Sequence, residues 1–146
     1  MIDLPTPELS AQWTQVDQRI HAIVSAIEEE AEDYGETVRV TSLIRKGIMS
    51  SPHYYGRACD LSVSGWTPQL VGAVLQLNRR FRYPRPGYAT IVLESPYAAD
   101  LAPYEVEFPC PLTMWSPRAS AIHIHIQVPE EPTPEWSTLP NRAYNY

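Results

Sequence analysis

Ser51-Pro52-His53-Tyr54-Tyr55-Gly56-Arg57-Ala58-Cys59-Asp60 is the stretch that decides how the rest of the chain is read. Its first half, rich in Ser, Pro and Gly, is a loop, and Gly56 supplies a backbone conformation or close approach that a Cβ would forbid. From Arg57 to Ser64 the residues alternate: Ala58, Asp60, Ser62 and Ser64 share one face, Cys59, Leu61 and Val63 the other. A loop carrying His53 therefore runs into a strand carrying Asp60. A matching alternation spans Ala119 to Val128, where Ile122, Ile124, Ile126 and Val128 oppose Ala121, His123, His125 and Gln127. Both late histidines share the face opposite the core.

A histidine and an aspartate seven residues apart, answered by two histidines at i and i+2, form a ligand set that suits a divalent metal. Three of the four histidines fall in this constellation; His21, within a helical pattern, reads as an ordinary partly exposed helix residue. His53, Asp60 and one histidine of the late pair make three ligands with an open fourth position, which is the catalytic zinc pattern rather than the structural one.

The pattern Ser-x-His-x-x-Gly-x-Ala-x-Asp closed by a late His-x-His resembles the zinc D-alanyl-D-alanine metallopeptidases. That group includes bacterial D-Ala-D-Ala carboxypeptidases and dipeptidases, phage endolysins that cut peptidoglycan stem peptides, and the metal site of the Hedgehog signalling domain. Ser51, His53, Gly56, Ala58 and Asp60 occupy matching places, and the resemblance runs from about Val40 to Gln127. It implies Zn2+ held by His53, Asp60 and His125, with His123 assisting the chemistry. It further implies that Arg45, at the end of Ser42-Leu43-Ile44-Arg45, holds a substrate carboxylate through a bidentate contact. The implied function is a zinc-dependent peptidase cleaving D-Ala-containing peptidoglycan stem peptides, as a carboxypeptidase or endopeptidase of a phage or bacterial cell-wall hydrolase.

Two features depart from the family. The interval from Arg45 to His53 is short, with Lys46-Gly47-Ile48-Met49-Ser50 where a longer Gly-rich insertion is common. The general-base glutamate of a Glu-x-x-His is missing, since Ser120 and Ile122 stand three residues before His123 and His125. The pattern is nearer to the His-x-His branch that includes murein endopeptidases, with Glu94, Glu105 or Glu107 as a base from elsewhere. The alternative reading is a catalytically inactive, zinc-stabilised binding or virion structural domain.

At 146 residues the chain is expected to form one peptidase-like domain over residues 1–128, followed by a Pro-rich aromatic tail over 129–146. Trp136, Tyr144 and Tyr146 lie along that tail, which either packs on its own domain or docks on a partner protein. A net charge of −6 and a pI near 5.1 argue against a nucleic-acid surface. No stretch approaches the ~18 apolar residues of a membrane span. No basic amino-terminal segment leads into an apolar run, so the expectation is no signal peptide, cytoplasmic synthesis, and action at the wall after release or from within a virion. Cys59 and Cys110 are expected as free thiols.

The fold class is α+β: a mostly antiparallel sheet with helices on one face and the zinc site on the other. Thr6-Pro7-Glu8 opens a helix whose apolar stripe, from Leu9 through Trp13, Val16, Ile20 and Ile27 to Tyr34, ends at Gly35. Thr37 to Ser42 is a strand. Thr67-Pro68 opens a second amphipathic helix reaching Phe81, and Tyr88 to Glu94 is a central strand. Between Pro96 and Pro117 the chain is irregular and forms a substrate-cleft wall, with Tyr104 to Phe108 as an edge strand.

Overall fold

A computed structural model describes residues 2–45, 51–105 and 108–130 and shows an α+β fold. Thr6 caps α1 (Pro7–Trp13), accepting a hydrogen bond from the Leu9 amide at 3.1 Å. The apolar stripe predicted one helix, yet the chain leaves α1 at Thr14 and restarts as α2 (Gln18–Glu32). The cause is Asp17, whose carboxylate accepts from the Arg19 amide at 2.9 Å and pairs with the Arg19 guanidinium at 2.8 Å. Its own amide donates to the Gly56 carbonyl at 2.9 Å instead of continuing a helix ladder. His21, expected as an ordinary helix residue, joins the two helices: its ring lies 4.1 Å from that of Trp13, with Nε2 2.8 Å from the Trp13 carbonyl.

Gly35, at φ +70°, ends α2, with the Glu36 amide reaching back to the Ala31 carbonyl at 2.9 Å. The strands are β1 (Ile2–Asp3), β2 (Val38–Ser42), β3 (Ala58–Ser62), β4 (Ile91–Ser95), β5 (Thr113–Trp115) and β6 (His123–Gln127). They form one sheet in the order β1-β2-β3-β6-β4-β5. The sheet is mixed rather than mostly antiparallel. β2-β3, β3-β6 and β6-β4 are antiparallel, but β1-β2 and β4-β5 are parallel. Each parallel pair is joined by a long crossover, α1 and α2 in the first case and the segment after Ser95 in the second, whereas antiparallel neighbours need only a turn.

The helix α3 (Pro68–Gln76) is capped by Thr67 and passes into a 3-10 turn at Leu77–Arg79. It stops short of Phe81 because Asn78 is fully buried and turned onto the sheet. Its amide group donates to the carbonyls of Leu75 and Ile91, while its oxygen accepts from the amides of Thr90 and Ile91. That four-bonded side chain fixes where α3 ends and β4 begins. Ile20, Ile23 and Ile27 of α2 and Leu70 and Val74 of α3 pack with Leu61, Leu93, Ile124 and Ile126 in one core.

Cys59 and Cys110 are buried thiols that form no disulfide, and burial pushes the Cys59 pKa upward. No helix among the described residues is long and apolar enough to cross a membrane. Tyr104, expected to open an edge strand, ends a 3-10 turn at Ala102–Tyr104 instead. The loop 46–50, Glu107 and the tail aromatics Trp136, Tyr144 and Tyr146 lie outside the described residues.

Candidate metal centre

His53 is set by the turn on which it sits. A 3-10 turn at Pro52–Tyr55 is capped by Ser51 and closed by Gly56 at φ +70°, a conformation that favours glycine. The turn is held on two sides, by the Asp17-to-Gly56 bond and by the Arg45 amide donating to the His53 carbonyl at 3.3 Å. The imidazole is 1% exposed, and its Nδ1 lies 2.6 Å from the Leu43 carbonyl. A carbonyl only accepts, so Nδ1 carries the proton and Nε2 presents a lone pair.

The sheet delivers the other two groups. Asp60 on β3 is directly opposite His125 on β6, and Ser62 is opposite His123, so these four side chains share the face away from the core. The next strand adds Glu94 opposite His123. His125 Nδ1 is 2.9 Å and His53 Nε2 3.3 Å from the same oxygen, Asp60 Oδ1. Nδ1 of His125 is freed for ligation by its other nitrogen, because Nε2 lies 3.2 Å from Gln127 Oε1. The Gln127 amide is oriented in turn by its Nε2, which donates to the Ala89 carbonyl at 3.5 Å.

His53, Asp60 and His125 thus offer ligand atoms that all lie within 4.8 Å of one another, a group able to hold a metal ion. The fit is tested by His53 Nε2. It is buried and has no hydrogen-bond partner among the described residues, although a carboxylate oxygen is 3.3 Å away. A buried nitrogen lone pair facing a carboxylate oxygen is unfavourable unless a cation lies between them. Two imidazoles and one carboxylate match zinc, and the Leu43 and Gln127 contacts are the outer-sphere hydrogen bonds that orient such ligands.

Burial alone would raise the Asp60 pKa, but the contacts with His125 and His53 outweigh it and hold the carboxyl well below its ordinary range. Arg45 approaches from the other side, with a guanidinium nitrogen 3.7 Å from Asp60 Oδ2 and a side chain 59% exposed. His123 is arranged differently from its neighbour. Its Nε2 lies 3.2 Å from Glu94 Oε1 and its Nδ1 2.9 Å from the Ala121 carbonyl, so each nitrogen faces an acceptor. Burial would lower the His123 pKa, but Glu94 and Ala121 raise it above the ordinary value, while His123 lowers that of Glu94 despite Glu94's own burial. His123 Nε2 is 3.9 Å from Asp60 Oδ1, beside the ligand group but outside it.

A cleft of about 470 Å³ opens over these residues, lined by Arg45, Asp60, Glu94 and His123 and by Arg118 from the turn before β6. All five residues expected at the site, His53, Asp60, His125, His123 and Arg45, therefore come together. Of the acids considered as a base from elsewhere, Glu94 is in contact with the site, whereas Glu105 follows the Ala102–Tyr104 turn and is exposed. Two positions at the site were not read from sequence. Gln127 was placed on the histidine face by alternation, but its tie to His125 depends on side-chain orientation; Arg118 sits in a Ser-Pro-Arg-Ala turn that signals only a turn. No family model, no curated protein and no solved structure matches the chain.

Proposed function

We propose that the chain is a zinc-dependent peptidase acting on D-Ala-containing peptides of peptidoglycan. The observation that carries the reading is the different wiring of the three site histidines. His53 and His125 each have their far nitrogen tied to an acceptor and turn the near one to Asp60, whereas His123 is bonded at both nitrogens and pairs with Glu94. Three ligand groups beside a separate imidazole bonded at both nitrogens suit catalysis, because a three-ligand zinc keeps a fourth position for water and Asp60 and His123 both line the cleft. Zinc held there supplies Lewis acidity, polarising a peptide carbonyl and making water nucleophilic near neutral pH.

His123 faces the cleft with a proton on Nε2, which Glu94 holds in place and which suits donation to a developing oxyanion or to the leaving amine. Glu94, which β4 carries directly opposite His123, orients that imidazole and is the acid that contacts the site in the absence of a Glu-x-x-His glutamate. Arg45, largely exposed at the cleft and only loosely paired with Asp60, is free to turn its planar fork to a substrate carboxylate. The D-Ala and peptidoglycan part of the reading rests on the sequence resemblance.

Digestion of purified peptidoglycan with and without chelator, read by mass spectrometry of released peptides, tests the proposal. Chelator-sensitive release is expected, together with about one zinc per chain by elemental analysis. Zinc without cleavage would leave a non-catalytic, zinc-stabilised binding domain, and a chain that takes up no zinc would end both readings.

A further inference from the structure

The floor of the cleft is made by Asp60, His123 and Glu94, whose charges are already matched to one another. Its two ends carry guanidinium groups, and of these only Arg45 has a charge partner among the described residues, with a nitrogen 3.7 Å from Asp60 Oδ2. Arg45 enters from the end of β2, on one side of the ligand row. Arg118 enters from the other side, where Ser116-Pro117-Arg118-Ala119 forms a turn closed by the Ala119 amide donating to the Ser116 carbonyl at 3.0 Å. That turn is anchored to the end of β4, since the Ser116 amide donates to the Ser95 carbonyl at 2.8 Å and Ser95 is fully buried. Proline at the second position presets the turn and leaves Arg118 at its exposed third position. Among the described residues Arg118 makes no ion pair or hydrogen bond, although the chain has a net charge of −6 and carboxylates are abundant.

A guanidinium kept apart from those acids, on an anchored turn at the rim of the cleft, is placed for an anion that arrives from outside. We infer that Arg118 is a specificity-determining residue, and that the substrate class is a peptide carrying one carboxylate on each side of the scissile bond, one for Arg45 and one for Arg118. The inference rests on the peptidase reading for the position of the bond, but its physical content is a binding preference. A volume of about 470 Å³ lies within the ~300–1,000 Å³ typical of small-ligand clefts. Two cations at opposite ends of a cleft of this size select for spacing as well as charge. A peptide with a single carboxylate leaves one end of the cleft unused, and converting the other to an amide removes the charge with almost no change in shape.

Titration calorimetry on the zinc-loaded protein tests this with two uncleavable probes, the ketomethylene isosteres of acetyl-D-Glu-D-Ala and acetyl-D-Gln-D-Ala. They differ by one carboxylate. The diacid should bind about tenfold more tightly, the equivalent of one charge-assisted contact. Arg118→Gln should erase that difference by weakening only the diacid, whereas Arg45→Gln should weaken both probes. Equal binding of the two probes to the parent protein, or an Arg118→Gln variant that keeps the preference, would overturn the inference even if peptidoglycan is cleaved. The preference seen without any cleavage would leave the inference standing and remove the peptidase reading.

Discussion

Ile124 and Ile126 project from one face of β6, and His123, His125 and Gln127 from the other; the two faces obey different rules. On the core face both isoleucines are fully buried beneath α2 and α3, where the requirement is volume and shape. On the site face every polar atom of the two imidazoles has an assigned neighbour: Ala121 and Glu94 for His123, Gln127 and Asp60 for His125. The core face stabilises whichever well-packed side chains fill it. The site face depends on which nitrogen holds a proton, so it should fail one function at a time.

The sharpest break comes from His125→Ala, which removes one of the three groups able to hold a metal ion. Zinc content should fall from about one per chain to near zero, with loss of the zinc-dependent rise in Tm, measured by elemental analysis and calorimetry with and without zinc. His123→Ala should instead keep zinc and Tm while the cleavage rate drops by ~10²–10⁴, the usual worth of a positioned proton donor. Metal lost from His123→Ala and retained in His125→Ala would reverse the two roles. On the opposite face Ile124→Ala should cost about 2–5 kcal/mol, a fall of roughly 4–20 °C in Tm, with zinc stoichiometry unchanged below the transition. The smallest effect should come from Gln127→Leu. With the acceptor for His125 Nε2 gone, zinc affinity should weaken ~10–100-fold in a competition titration, while Tm without zinc stays close to that of the parent.

The two faces were also unequally legible in the sequence. Period-two alternation identifies β3 and β6 and puts Asp60, His123 and His125 on polar faces, because a half-buried strand imposes that pattern directly. It does not reveal that β6 lies between β3 and β4, which is what brings Glu94 opposite His123; register between strands distant in the chain leaves no local mark. β1 and β5 are two and three residues long, too short for any periodicity to emerge. The break between α1 and α2 was hidden because Val16 continues the apolar stripe into the corner, although Asp17, a good N-cap residue, was the available sign of a fresh start. Parallel edge pairing was missed for the same reason as the strand order, since it follows from where the crossovers land.

The place of β6 in the sheet bears on how the protein is made. β6 is the last strand of the described chain, yet its neighbours β3 and β4 are both earlier in sequence. On the ribosome those two strands emerge with the slot between them empty, each showing an unpaired edge of the kind that recruits stray strands. The slot closes only when residues 123–127 are released, and the same insertion carries His125 to Asp60. Sheet completion and ligand assembly are one event, so a nascent chain cannot present the three-ligand site before its fold is closed.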